Sequence, residues 1–314
     1  MKMKRLKRLL PVLVLVTFSA ALFLVWREVR PFGLAGMLHA MAAIPPHRLA
    51  LAVLTAAASY VMLTLFDWLA LRYAGHPLSW PRAAFVSFVA LAVGHTVGLA
   101  PLGSGALRAR YYAKWGLDAE AIGKVILFCA VTVTLGEIAL AAIVLLAEPH
   151  PAASWLHIGN NEVRLVGVLC AATIGVYWWA AARLRRPLKV RHWQFTLPAL
   201  PLAVAQVLVG ALNFALLTAT LHFLILTEQP LPYLTTAAIY LLASVAALVS
   251  HVPAGLGVTE FVILSFLPGA ATWGALIVFR IIYYITPLAL GGAMLGLGEF
   301  LPERPQRPAP ALRR

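Results

Sequence analysis

Long apolar runs with almost no charge dominate this sequence, and they constrain the fold more than any other feature. Hydrophobic residues make up 62% of the 314-residue chain and charged residues only 11%, against roughly half and roughly a quarter in soluble domains. A bilayer core of about 30 Å takes about 20 apolar residues per helix. Five runs come close to that length or exceed it, at residues 51–73, 122–146, 165–182, 197–226 and 273–297. With no strand-like alternation, we expect an all-α integral membrane protein built as a polytopic helical bundle.

The N-terminal segment holds five cations among its first eight residues and then an apolar run at 9–26. No small-residue cleavage site follows Ala20 and Ala21, so we expect a retained first helix rather than a secretory signal. Cys129 and Cys170 both fall inside apolar runs. Neither a disulfide framework nor a thiolate metal site is therefore indicated, and we expect no cofactor and no metal.

The formal net charge of +14 raises the question of a nucleic-acid partner. Twenty of the 25 Lys and Arg residues fall in five short segments between apolar runs, at residues 2–8, 72–82, 108–124, 183–191 and 304–314. This asymmetry follows the positive-inside rule, which places those segments and both termini at the cytoplasmic face of the cell inner membrane. The charge therefore indicates orientation and attraction to anionic lipid head groups, and we expect no nucleic acid.

The basic segments conflict with a topology in which every apolar run crosses the membrane. If residues 83–100 crossed fully, the cations of 108–124 would lie outside and the later runs would end on the wrong side of the loop 183–191. We therefore predict a re-entrant hairpin in which residues 83–96 dip into the membrane, break at 98–105 and return to the cytoplasm.

The second half poses the same conflict with the opposite sign. The run at 273–297 must end beside the basic tail, so residues 235–250 cannot cross completely. With residues 260–267 they form a second predicted hairpin, whose break holds Pro253 and two glycines.

These segments predict one transmembrane domain over residues 1–300, with a cytoplasmic Pro/Arg-rich tail at 301–314. Repeat one covers about 51–147 and repeat two about 197–298, each with a helix, a broken hairpin and a helix, in opposite orientations. Inverted repeats with broken helices are the architecture of secondary transporters, whose sites lie near the midplane. The alternative is that the Gly/Pro runs are ordinary loops and both hairpins are fully spanning.

Ionisable side chains within the apolar runs are few, and each costs about 2.5–3.5 kcal/mol on insertion scales, so they are candidates for function. Glu137 is one of them, and Glu260 follows the second break, where a half-helix would begin. In one interpretation Glu260 stabilises that helix N-terminus, with Arg280 as its counter-ion. In the other, Arg280 binds a phosphate bidentately, and its two roles, counter-ion of Glu260 and phosphate ligand, alternate during a transport cycle.

Arg108 and Arg110 follow the first break and are two residues apart. On a helix they diverge by about 200°, so only one of them can face a cavity. That arginine would serve a substrate, and the alternative is that both simply anchor in the head-group layer. Asp67 is a further candidate, with snorkelling to the interface as its alternative.

Tyrosines and histidines near the breaks complete the candidate site. Tyr112 and the tyrosine before it can anchor at the interface or donate to a polar group, and we expect anchoring. Tyr283 and Tyr284 have the same two alternatives. His95 and His251 occupy matching places in the two breaks and are either proton carriers or satisfied core residues.

Two blocks of motifs stand out in these segments. The first is Ser59-Tyr60 through Asp67, with Gly103-Ser104-Gly105, Arg108-x-Arg110-x-Tyr112 and Trp115-Gly116-Leu117. The second is Ser250-His251-Val252-Pro253-Ala254-Gly255-Leu256-Gly257-Val258-x-Glu260, with Phe279-Arg280-x-x-Tyr283-Tyr284-x-x-Pro287. Over about residues 5–300 the chain resembles the transmembrane, flippase region of the lysylphosphatidylglycerol synthetase family, and most closely its stand-alone YbhN-like branch.

The resemblance implies a flippase-like fold that moves a phospholipid between the leaflets of the cytoplasmic membrane. The synthetases carry a soluble aminoacyl-transferase domain after the membrane part, whereas this chain ends at Arg314, so we expect no aminoacylation and no enzymatic activity. Membrane phospholipids are the expected partners, and Gly292-x-x-x-Gly296 suits packing inside the bundle or a contact in a homo-oligomer. A membrane-embedded lipid-modifying enzyme, with His95 or His251 as acid/base, and a non-transporting structural membrane protein are the alternatives.

Overall fold

A computed structural model describes residues 33–97, 100–184, 188–190, 193–227, 229–250 and 252–298. The predicted first helix at 9–26 and the predicted tail at 301–314 lie outside the described residues. The helices are α1 (Gly33–Ala42), α2 (Pro46–Tyr73), α3 (Trp80–Val97), α4 (Ala100–Lys114), α5 (Ala119–Ala147), α6 (His150–Leu156), α7 (Asn160–Arg183), α8 (Leu200–Leu224), α9 (Tyr233–Ser250), α10 (Val258–Phe266), α11 (Ala270–Arg280) and α12 (Thr286–Gly298). A short antiparallel ladder joins β1 (Leu188–Val190) to β2 (Trp193–Phe195). This architecture confirms the predicted all-α class.

Six helical segments of the described part are long and apolar enough to cross a membrane. They are α2, α5, α7, α8, α9 and the continuous stretch Ala270–Gly296, which runs through α11 and α12. Each of the five long apolar runs therefore forms a helix, as predicted. The apolar runs did not predict α1, α6 or the β1–β2 ladder, which are too short or too polar to register as spans.

Helices α2 and α8 pack along each other at the centre of the bundle, and α5 packs on both. They are antiparallel, because Arg48 at the start of α2 contacts Ile225 at the end of α8, while Tyr73 at the other end contacts Thr196. Gly210 lies where α8 meets α5, and a Cβ there would come within 2.6 Å of the Thr132 carbonyl oxygen. Glycine therefore allows the two backbones to touch.

Each predicted hairpin consists of two helices packed on one another, α3 with α4 and α9 with α10. The second break is confirmed: a 3-10 turn at Pro253–Gly255 separates α9 from α10, and Ala254 and Gly255 have φ of 53° and 63°. The first break is much shorter than predicted, because α4 already begins at Ala100. The Gly103–Gly105 segment is therefore helical, since proline is tolerated in a first turn and glycine is tolerated within a helix. The re-entrant course of the hairpins and the inverted repeat stay predictions.

The last predicted helix is interrupted by a π-helical turn at Ile281–Ile285, between α11 and α12. Pro287 has no N–H, so the carbonyl of Tyr283, four residues earlier, has no α-helical donor. The Tyr60 hydroxyl on α2 donates to that carbonyl instead, at 3.0 Å. This substitution explains how the chain accommodates proline within an apolar span.

Candidate functional site

A buried ion pair joins Glu260, in the first turn of α10, to Arg280, at the end of α11. The Arg280 Nε and Nη2 atoms both donate to Glu260 Oε1, at 2.9 and 2.7 Å, and each residue is 6% exposed. Nη1 donates to the carbonyl of Ala254 at 2.9 Å, and Glu260 Oε2 accepts from the backbone N–H of Gly257 at 2.8 Å. The predicted counter-ion pair is confirmed, as is the role of Glu260 at a helix N-terminus. One guanidinium thus fixes the turn between the two halves of the second hairpin.

A second buried ion pair joins Asp67 on α2 to Arg108 on α4. Arg108 donates bidentately, with Nε on Oδ1 at 2.8 Å and Nη2 on Oδ2 at 2.7 Å. The Tyr112 hydroxyl also donates to Oδ1 at 2.8 Å, and the Cys129 thiol lies 3.8 Å from Oδ2. Three side chains from two helices therefore converge on a single carboxylate that is fully buried.

These contacts overturn one expectation from the sequence, for Tyr112, and two of its alternatives, for Asp67 and Arg108. Snorkelling of Asp67 is wrong, because the residue has no exposed surface. Interface anchoring is wrong for Tyr112 and Arg108, which are 0% and 3% exposed. The reason is that the carboxylate of Asp67 offers both of them a buried partner, which removes the need to reach the head groups. Arg108 is buried in the Asp67 cluster whereas Arg110 is half-buried, a difference that their divergence of about 200° on a helix predicts.

Between the two ion pairs lies a chain of polar contacts that the sequence analysis missed. Ser59 on α2 donates to Asn213 Oδ1 on α8 at 2.8 Å, and its hydroxyl is 2.7 Å from that of Tyr283. Ser59 lies 13 residues after the start of α2 and 14 before its end, so this contact is near the middle of the span. An asparagine within an apolar run is the sequence signal that could have identified it.

The polar groups follow an order along the bundle axis. Asp67 is eight residues beyond Ser59, or about 12 Å at 1.5 Å per residue, toward the end of α2. Helix α11 packs on α1, which precedes α2, so α11 and α2 enter from the same end. Arg280 is three residues before Tyr283, and therefore about 4.5 Å on the other side of the midpoint. The two charged pairs thus flank a central polar contact.

Two proteins are similar to this chain over most of its length. The uncharacterised protein slr0712 of Synechocystis sp. is 34% identical over 286 residues, covering 89% of this chain and 88% of that protein. The inner membrane protein YbhN of Escherichia coli is 28% identical over 272 residues, covering 85% of this chain and 81% of YbhN. The chain belongs to the YbhN-like family of membrane proteins. No family model matches the sequence.

The YbhN-like chain is therefore a multi-pass inner-membrane protein, since its family and its six apolar helices agree. The side of the membrane on which the termini lie stays a prediction. So does the relation to the lysylphosphatidylglycerol synthetases.

Three further candidate residues of this YbhN-like protein, Tyr283, Tyr284 and Glu137, contact groups in or near the second hairpin. Tyr284 faces the Arg280 guanidinium, which lies 4.8 Å from its ring centroid, and Tyr283 stacks on Phe279 at 5.6 Å. Glu137 on α5 accepts a hydrogen bond from Ser244 on α9. Within the bundle, Tyr283 therefore meets the Ser59 hydroxyl and Tyr284 meets the Arg280 guanidinium.

The predicted histidines contribute nothing to the geometry that is described. His251 lies outside the described residues, and only the backbone of His95 is described, in α3. Within the described ranges, no group of three or more His, Cys, Asp and Glu side chains could hold a metal ion.

Proposed function

We propose that this YbhN-like protein moves a phospholipid between the leaflets of the cytoplasmic membrane and leaves the lipid chemically unchanged. The observation that carries the proposal is the place of Arg280, whose guanidinium is buried near the middle of the bundle against the turn at Pro253–Gly255. Arginine presents a planar fork of donors that matches phosphate oxygens as well as carboxylate oxygens. A phosphate that reaches the turn can therefore replace Glu260 on the same donors.

This replacement keeps the guanidinium paired with a negative charge throughout, which avoids the cost of an unpaired buried cation. Glu260 keeps its hydrogen bond from Gly257 but loses its cation. The Glu260 carboxylate must then either take up a proton or pair with an ammonium group of the lipid. A zwitterionic head group would supply a phosphate for Arg280 and an ammonium group for Glu260. An anionic head group would supply only the phosphate, so Glu260 would have to be protonated. The head groups that the protein transports therefore show which of the two neutralises Glu260.

We further propose that the two hairpins are re-entrant and related as inverted repeats, and that they line a polar route for the head group while the acyl chains stay in lipid. The same order of helices supports this arrangement, with α2, the α3–α4 hairpin and α5 in one half and α8, the α9–α10 hairpin and α11–α12 in the other. The route would pass the Ser59–Tyr283 contact between the two ion pairs. The resemblance to the transmembrane region of lysylphosphatidylglycerol synthetases supports phospholipid as the cargo.

Leaflet exchange in reconstituted proteoliposomes tests the proposal. Fluorescent phosphatidylglycerol, phosphatidylethanolamine and phosphatidylcholine would be tested separately, with an impermeant quencher reporting the fraction of each lipid in the outer leaflet. We expect faster exchange than in protein-free liposomes for at least one head group, with the lipid recovered intact by mass spectrometry. Exchange no faster than in protein-free liposomes for all three would contradict transport, and a changed lipid mass would favour a lipid-modifying enzyme.

A further inference from the structure

A cavity of about 340 Å³ lies at the end of the bundle where α2 begins and α8 ends. Its volume falls within the range of about 300–1,000 Å³ that is usual for small-molecule sites. Arg48, His222, Thr227 and Pro230 are among the residues that line it. It lies at the opposite end of α2 from Asp67, and neither Glu260 nor Arg280 is among its lining residues, so it is separate from both buried ion pairs.

The Arg48 guanidinium is held in this cavity by the end of α8. Its Nη2 atom donates to the carbonyl of His222 at 3.1 Å and to that of Ile225 at 2.8 Å. The last carbonyls of a helix carry a partial negative charge, which would repel an anion, and Arg48 covers two of them. Its Nε and Nη1 make no hydrogen bond with the part of the chain that the structure describes. Two donors of a fixed, charged fork therefore remain for a ligand.

The wall of the cavity is fixed at His222 by a contact of 3.0 Å between its Nδ1 and the Thr236 hydroxyl and by an edge-to-face contact with the Tyr233 ring. The predicted orientation of the chain is what favours a negatively charged ligand. The predicted topology puts this end of the bundle outside, where the positive-inside rule makes cations rare. Orientation therefore gives no reason for an arginine at this position. Its contacts with the end of α8 use one nitrogen of the guanidinium, and binding of an anion would use the other two.

We propose that this cavity binds the phosphate group of a ligand, with Arg48 as its principal donor, and that it is the station at which a phospholipid head group enters or leaves at the predicted outer face. Its role in transport rests on the proposed function, but the binding does not. The same chemistry would accept a free phosphate, so the experiment separates the two sources.

Binding would be measured by native mass spectrometry on the full chain in detergent, with phosphatidylglycerol as the probe. The Glu260→Gln Arg280→Gln background removes the proposed central site, so binding at that site no longer contributes to the measurement. In that background we expect Arg48→Gln to weaken binding about tenfold, as the loss of a charge-assisted pair implies. Arg164→Gln is the matched control, since Arg164 is an exposed arginine near the start of α7, at the same predicted face.

A second pair of variants leaves the bonds of Arg48 untouched. Pro230 is exposed, so Pro230→Glu would add a carboxylate at the rim of the cavity and should weaken binding, while Pro230→Gln should not. Displacement of the lipid by millimolar inorganic phosphate would assign the site to phosphate itself, and resistance to it would assign the site to the lipid. Equal affinity of Pro230→Glu and Pro230→Gln, or of Arg48→Gln and Arg164→Gln with melting temperatures unchanged, would overturn the proposal, even if transport were observed.

Discussion

At Arg280, a single guanidinium connects a carboxylate with a backbone carbonyl of the turn before it. Either Glu260→Gln or Arg280→Gln leaves the other charge buried without its partner, and we expect each to lower the stability by about 3–5 kcal/mol. The melting temperature of the purified protein in detergent would measure this loss. Arg164→Gln should leave it unchanged, because that side chain is exposed. Single variants that melt with the wild type would show that the pair contributes little to the fold.

The Asp67 cluster allows a graded test. Asp67→Asn removes the charge that balances Arg108, so a loss of about 3–5 kcal/mol is expected. Tyr112→Phe removes only one hydrogen bond to a charged group, worth about 1.5–3 kcal/mol. The melting temperatures should therefore fall in the order wild type, Tyr112→Phe, Asp67→Asn. The reverse order would mean that Arg108 finds another partner when Asp67 is neutral.

At the scale of elements, the contact of α5 with α8 depends on glycine. Gly210→Ala would place a methyl group 2.6 Å from the Thr132 carbonyl oxygen, so the helices must separate, at a cost of about 1–3 kcal/mol. Gly175→Ala on α7 is the matched control, because a Cβ there meets no atom within 4 Å. Thermal melting should show a loss for the first variant and none for the second. An unchanged melting temperature for Gly210→Ala would show that the helix contact is loose.

The breaks show why local signals predicted some elements and misplaced others. Gly255 and Gly257 have positive φ, so the sequence correctly marked a break that only such residues adopt readily. Gly103 and Gly105 gave the same signal, but they lie inside α4, where glycine is tolerated. Composition does not distinguish these two uses of glycine. The interruption near Pro287 was missed because its compensation comes from Tyr60, 223 residues away from Tyr283.

For the whole molecule, each of the five long apolar runs forms a helix, because hydropathy acts locally along the chain. Helix α9 is a sixth segment of the described part that is long and apolar enough to cross a membrane, and the five runs did not include it. Of the two buried ion pairs, the sequence indicated only one. Glu260 and Arg280 stand out as charges in apolar runs, and their pairing across 20 residues was one of two interpretations of the sequence. The Asp67–Arg108 pair spans 41 residues and depends on how α2 meets α4, which no local pattern encodes.

The orientation of the whole molecule can be tested without knowing its cargo. Single cysteines at Lys114 and Arg185 should be shielded from an impermeant thiol reagent in intact cells, whereas one at Asn160 should react, because the basic segments are expected at the cytoplasmic face. Background labelling should be low, since Cys129 is buried and Cys170 is partly so. Labelling of Lys114→Cys from outside would contradict the first re-entrant hairpin.

In the proposed function, a lipid phosphate replaces Glu260 on the Arg280 guanidinium. The most direct test of this replacement is the rate at which the Glu260→Gln Arg280→Gln double variant moves lipid between leaflets. Removing both charges leaves no uncompensated ion in the bundle, so the double variant should melt closer to the wild type than either single variant does. Its glutamine at position 280 offers no positive charge to a phosphate, so exchange should fall to the rate of protein-free liposomes. A stably folded double variant that moves lipid at the wild-type rate would contradict the account, because Arg280 would then be only a structural counter-ion.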